Sequence, residues 1–274
     1  LGLLGAGSMH LDTLSEHIDK MNEATQKPWG VNLPLMYPEI DNLIELIINK
    51  GVKIVFTSAG SPKKYTARFH EAGIKVAHVV SSSKFAKKCE EAGVDAIVAE
   101  GFEAGGHNGR EELTTMVLIP QVCEVTTLPI IAAGGIASGK AIVAAQALGA
   151  EGVQIGTLFA ASEESSASEA FKEYCIKLGE EDTMLALKKI SPSRLAKNAL
   201  YNKIKEAEDN GADATTLKNI LGDKSTKRGI FEGDIENGEI EIGQAVTAIK
   251  QIQPVKDIIS NLISDYNATL LRMR

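Results

Sequence analysis

The chain has 274 residues, 44% of them hydrophobic and 24% charged, which excludes a disordered or fibrous protein and suits one large domain or two small ones. With 29 Lys plus Arg against 36 Asp plus Glu the formal charge is −7, and no basic stripe interleaved with aromatics occurs, so nucleic acid is not an expected partner. Cys89, Cys123 and Cys175 lack any ligand spacing, no run reaches the about 18 apolar residues of a membrane span, and LGLLGAGSMH carries no leader signature, so we expect incidental thiols, no metal site, no membrane and a cytoplasmic location.

In chain order, seven short apolar runs bounded by glycines occupy residues 1–7, 29–36, 52–60, 75–81, 96–101, 128–135 and 152–160. They are continuous rather than alternating, as strands covered on both faces are. Between them lie stretches of helical period that stop at glycine: 41–51 with Leu43, Ile44, Leu46, Ile47 and Ile48; 83–93 with Phe85, Ala86, Cys89 and Ala92; and 140–149 with Ile142, Val143, Ala144 and Leu148. This βα alternation predicts a parallel α/β sheet. The first βα turn has no GxGxxG opening a helix, which favours a closed barrel over a doubly wound sheet. The expected fold is therefore a TIM (β/α)8 barrel whose first strand and helix, on the order of 30 residues, are missing from this sequence, followed by a C-terminal helical extension.

After residue 162 we expect helix without strands. Residues 167–178 should close the barrel, and 182–221 should be helical with breaks at Ser191-Pro192 and Gly211. A turn-rich connector (233–243) then leads to a final helix with Ile249, Ile252, Val255, Ile259 and Leu262 on one face and Pro254 as a kink or first turn. The units are 1–178, the barrel, and 179–274, an extension packing on it.

Barrel chemistry sits at the C-terminal ends of the strands. The segment AEGFEAGGHNG (99–109) follows a strand with four glycines and His107. Bare backbone amides admit a flat or anionic ligand, and the imidazole is either a proton-transfer or orienting group or a plain surface-loop residue. Segments IIAAGGIASG (130–139) and VQIGT (153–157) make Gly134, Gly135, Gly156 and Thr157 the phosphate candidates, with tight βα turns as the structural alternative. Asn32 in GVNLP is either a contact to a ligand ring edge or an Asx turn before Pro34. Thr57 and Ser58 are ligand contacts or loop hydroxyls. His10, His17 and His70 read as surface residues and His78 as structural.

The segments AEGFEAGGHNG, LPIIAAGGIASGKAI and GAEGVQIGT resemble the hallmarks of the flavin-dependent family that joins FMN-type enoyl-acyl-carrier-protein reductases with nitronate monooxygenases. The resemblance runs from LGLLGAGSMH through GVNLP and TSAGSP to EGDIENGEIEIGQ (232–244), which is more similar to the reductase branch. It implies FMN at the barrel mouth, with Asn32 at the isoalloxazine edge and Glu100 on the ribityl chain. Ala104 and Gly105 would approach by backbone, Gly134, Gly135, Gly156 and Thr157 would hold the phosphate, and His107 matches the active-site histidine. In the reductase branch it also implies NAD(P)H as co-substrate, an enoyl thioester on acyl carrier protein as substrate in fatty acid synthesis, and a monovalent cation; a homodimer is the expected assembly. In the other branch a nitroalkane or nitronate is oxidised with O2. The segment SPSRLAKN (191–198) resembles the family's post-barrel segment loosely, with Arg194 and Asn198 kept and the flanking glycines absent.

Overall fold

Strands form where the apolar runs stand: β1 (Gly2–Gly5), β2 (Trp29–Pro34), β3 (Ile54–Ser58), β4 (Lys75–Val80) and β5 (Ala96–Glu100), then the short β6 (Gly106–His107), β7 (Ile130–Ala133) and β8 (Gly152–Gln154). The computed structural model describes residues 1–37 and 39–273. All these strands except β6 join one parallel sheet in the order β1-β2-β3-β4-β5-β7-β8. Because each strand pairs with its successor, every right-handed crossover places its helix on the same face. That face carries α1 (Leu11–Ala24), α2 (Ile40–Asn49), α3 (Thr66–Glu71), α4 (Ser83–Glu91), α5 (Thr115–Cys123) and α6 (Gly139–Ala147). The result is the expected α/β barrel-type winding with seven parallel strands.

The two faces of the sheet build separate cores. Val31, Leu33, Val55, Val76, Ile97 and Ala132 point outward into the main sheet-helix core. Phe56, Ala77, Val98 and Ala133, with Ile54, Val79 and Ile131 beside them, form the inner layer. This alternation decides which polar residues reach the barrel interior: Asn32, Glu100 and Gln154 share the inward parity of their strands.

The last run is strand only at Gly152–Gln154 and becomes helix at α7 (Thr157–Ala160). Beyond it, α8 (Glu169–Lys177) does not close the barrel: Ala167, Phe171 and Cys175 pack on Ile240, Ile242 and Val246 of the tail. The expectation of helix without strands is also corrected. Strands β9 (Thr183–Ala186) and β10 (Ser193–Ala196) pair antiparallel, and β10 takes up β6 on its other edge. Both strands are four residues long, and β10 is buried throughout, so neither shows the alternation by which a strand is read from sequence. Helices α9 (Ala199–Asp209) and α10 (Ala214–Leu221) follow, with Asn198 and Asp213 as their N-caps.

The final helix, α11 (Val255–Met273), starts directly after Pro254, whose carbonyl accepts from Ile258 N (3.2 Å), so Pro254 marks the first turn and does not kink the helix. Leu262 is buried as expected, but Ile249 and Ile252 lie outside the helix, Ile259 is exposed, and Ile258 and Thr269 are buried beside Leu262. Helix α11 lies along α6, where Lys140 N donates to Asp265 Oδ2 (3.1 Å) and Tyr266 Oη to Gln146 Oε1 (2.9 Å). The end of the extension thus joins the helical ring around the sheet.

Candidate active site

A cavity of about 980 Å³ opens at the C-terminal ends of the strands. Asn32, Glu100, Gln154 and His107 line it together with Tyr37, Lys88 and Glu241. Parallel register sets Glu100 level with Ala133, and Ala133 level with Gln154, so these two polar side chains flank the inner floor at one height. Burial pushes the Glu100 carboxyl up to about 7. Asn32 Nδ2 donates to Phe56 O across the sheet at 3.2 Å. The Oε1 atom of Gln154 is buried and has no hydrogen-bond partner. A buried amide oxygen left without a donor is costly, and one lining a cavity is accounted for by a ligand that supplies the missing donor.

His107 stands where the loop after β5 becomes β6. Gly106 adopts φ +74°, which turns the chain, and Ser193 and Arg194 of β10 then pair with His107 and Gly106. Arg194 is fully buried, and its Nε and Nη2 both donate to Phe102 O, at 3.0 and 2.8 Å, while the guanidinium stacks over the Phe102 ring. Asn108 Nδ2 closes the loop on the carbonyls of Ala104 and Gly106, each at 2.9 Å. The imidazole itself projects outward with its side chain 67% exposed, and its Nδ1 lies 3.6 Å from Glu241 Oε1. Arg194 and Asn198 of SPSRLAKN are therefore occupied within the fold: Asn198 caps α9 and donates to the carbonyls of Ile235 (2.6 Å) and Gly238 (2.8 Å), which fixes the tail.

The glycine tips lie at the same end of the sheet. Gly134 and Gly135 take φ of +91° and +70°, and a Cβ on either would crowd the loop after β5, at Gly101 and Glu103 respectively. The tail crosses the neighbouring tips: Gly243 N donates to Thr157 Oγ1 (3.3 Å), Gln244 N to Glu103 O (3.0 Å), and Gly105 abuts Ile242–Gly243. The space beside Gly156 is open. Ala104, Gly105, Gly134, Gly135, Gly156 and Thr157 lie at neighbouring strand ends outside the cavity lining, with Gly105 and Thr157 against the tail, whereas Asn32, Glu100 and His107 line the cavity itself.

Of the remaining candidates, Ser58 and His78 also line the cavity. Thr57 Oγ1 lies 2.7 Å from His78 Nδ1, and burial lowers His78 to about 4, which keeps the imidazole neutral. His70 sits at the surface with Asp95. Burial pushes Cys89 and Cys175 up to about 12, which makes them unreactive thiols. Among the described residues no cluster of three or more His, Cys, Asp or Glu could hold a metal ion. Gln154, Glu241, Tyr37 and Lys88 are among the lining residues that escaped sequence reasoning. Gln154 was visible as the one polar side chain at the inward parity of its run, whereas Glu241 gave no local signal, because only the fold brings the tail to the strand ends.

The residues present fit a flat, polar-edged cofactor: the volume lies at the upper end of the about 300–1,000 Å³ of ligand pockets, and Asn32, Glu100 and Gln154 bring amide and carboxyl groups to its lining. Comparison with known proteins agrees. The family profile described as nitronate monooxygenase matches residues 35–265. The structure of FabK from Thermotoga maritima superposes with a TM-score of 0.95 at 40% identity, covering 100% of this chain and 87% of that one. A probable nitronate monooxygenase of Staphylococcus aureus (strain MSSA476) is 31% identical, over 97% of this chain and 87% of its own length. A (3aS,4S,5R,7aS)-5-hydroxy-7a-methyl-1-oxo-octahydro-1H-indene-4-carboxyl-CoA dehydrogenase of Rhodococcus jostii (strain RHA1) is 28% identical, over 97% of this chain and 85% of its own length.

Proposed function

We propose, from the premise that this chain belongs to the nitronate monooxygenase family of FMN-dependent oxidoreductases, that it reduces the double bond of an enoyl thioester at the expense of NAD(P)H. The observation that carries this reading is the 40% identity and 0.95 TM-score to FabK, an enoyl-acyl-carrier-protein reductase, over the whole of this chain. The tail segment 232–244, whose sequence resembles the reductase branch, supplies Glu241 to the cavity and crosses the strand end at Thr157. A relative named as acting on a carboxyl-CoA adds support for a thioester as the group recognised.

Asn32, Glu100 and Gln154 would hold the flavin ring and ribityl chain from the cavity floor, and the tips at Gly134, Gly135 and Gly156 would receive the phosphate end. Bound there, FMN supplies the two-electron chemistry, and the protein supplies binding, orientation and proton management. Glu100 is suited to this role because its raised carboxyl is largely protonated below neutrality and donates, rather than repels, toward an electron-rich ligand. His107, reachable from solvent and from the cavity, is the group that gives a proton to the α-carbon of the substrate. Lys88 at the rim offers a positive charge to an anionic carrier arm.

Anaerobic mixing of the FMN-loaded protein with NADH or NADPH tests the reading. Flavin absorbance should bleach and return on addition of crotonyl thioester. The Staphylococcus relative favours a second reading, nitronate oxidation with O2, in which His107 takes the α-proton instead. Persistence of the colour with both nucleotides, together with bleaching by a nitronate, would replace the first reading by the second.

A further inference from the structure

Two glutamates of the tail end beside His107, although the strand pairings and the cofactor assignments use neither. Glu241 Oε1 lies 3.6 Å from His107 Nδ1, with the Glu241 side chain 21% exposed and the imidazole 67% exposed. The backbone of Glu241 is pinned by its bridge to Leu195 in β10, the strand that also holds Gly106 and His107. Gly106 makes the approach possible: at φ +74° it presents no side chain, and a Cβ there would come within 3.3 Å of the Glu241 carboxyl carbon. Glu239, two residues earlier, is buried and accepts a hydrogen bond from Thr226 Oγ1 at 2.9 Å.

We propose that Glu241 is a positioning residue for His107, its carboxylate facing Nδ1 so that the ring keeps a proton there and leaves Nε2 as the atom that exchanges protons with substrate. This rests on the reading that His107 serves the reaction. A carboxylate behind an imidazole fixes its tautomer and ring orientation, and a contact longer than a hydrogen bond in the free protein shortens once ligand excludes water. The groups facing Glu241 are few. They are His107 from β6, Glu239 on its own segment, and Tyr37 from the loop after β2, whose hydroxyl is raised by burial and by the Glu241 charge. Lys227 and Arg228 are engaged by Glu232 and Asp234 and do not compete. Burial raises the carboxyls of Glu239 and Glu241 alike, and their charges oppose each other, so the pair takes up one proton together before it gives up both charges. One negative charge is thereby kept near Nδ1.

The tautomer of His107 can be read by nitrogen-15 NMR of the full chain, which has five histidines and so allows assignment by comparison with His107→Ala. The expected result is Nδ1–H as the main neutral tautomer in the wild type and in Glu241→Asp, and Nε2–H in Glu241→Met, an apolar side chain of similar length. With crotonyl thioester, Glu241→Met should lose about tenfold in kcat with KM near the wild-type value, and Glu241→Asp should recover part of the loss. The same His107 tautomer in wild type and Glu241→Met overturns the proposal. Should Glu241→Met not fold, loss of the Nδ1–H signal in wild type alone overturns it equally. The NMR reading needs no turnover: a tautomer change in a protein inert toward both enoyl thioesters and nitronates refutes the function and leaves the pairing standing.

Discussion

Arg194 shows how one side chain serves the site from outside it. It is fully buried, yet its partners are carbonyl oxygens, two bonds to Phe102 O and a longer one to Thr183 O at 3.4 Å. Burial lowers its pKa, opposed by the charges of Glu103 and Glu112. A planar fork aimed at one carbonyl cannot be replaced by a lysine. Arg194→Lys is expected to cost about 1–2 kcal/mol and Arg194→Met about 3 kcal/mol, because the Phe102 carbonyl is left buried without a donor. Urea midpoints measure the loss, and amide hydrogen exchange at residues 102–108 should speed up in both variants, since this bond ties the His107 loop to β9 and β10. A midpoint unchanged in Arg194→Met would remove Arg194 from this role. At this scale the sequence was informative for residues next to strand ends. Asn32 and His107 announced themselves by position and Glu100 only through the family resemblance, and all three line the cavity. Glu241 and the loop-binding role of Arg194 were illegible, because each depends on a partner far along the chain.

The tightest packing between elements is that of α6 on α11. Gly139 opens α6, and a Cβ at this position would fall inside the backbone of Tyr266 in α11. The helices approach this closely there only because Gly139 presents no side chain. Gly139→Ala must push α11 outward and is expected to destabilise by about 1–3 kcal/mol, the usual cost of overpacking. Gly152→Ala in β8 is the control: its nearest neighbour, the Ile131 side chain, would be 3.8 Å away, so only a small change in the urea midpoint is expected. Equal effects from the two substitutions would show that the close crossing is not what glycine provides. The seven strands were legible as elements because burial on both faces writes a continuous apolar run, and Gly51, Gly93 and Gly149 marked the ends of α2, α4 and α6. The cap was not. Strands β9 and β10 are too short to show a period, and the start of α11 was hidden because Ile249 and Ile252 happen to keep helical spacing across Pro254.

Across the whole molecule, several buried carboxyls hold protons more tightly in the folded chain than in the unfolded one. Glu100 rises from 4.5 to about 7, and Glu239 and Glu241 rise as well, all chiefly through burial. Between pH 4.5 and about 7 the folded state therefore binds more protons at these sites, and stability falls as pH rises through that window. His78 acts in the opposite sense: lowered from 6.5 to about 4, it refuses a proton that the unfolded chain accepts, so its contribution grows with pH over that range. Three carboxyls outweigh one imidazole. At roughly 1 kcal/mol per group, the net loss between about pH 5 and pH 8 is about 2 kcal/mol. Urea midpoints should accordingly be highest on the acid side of neutrality and decline toward pH 8. Glu239→Gln should flatten the decline by removing one titrating carboxyl, and His78→Gln should steepen it by removing the opposing slope. A midpoint that climbs steadily from pH 5 to pH 8 would mean that the acidic wall of the cavity is solvated well enough to stay ionised, and the proton-donating role given to Glu100 would fall with it.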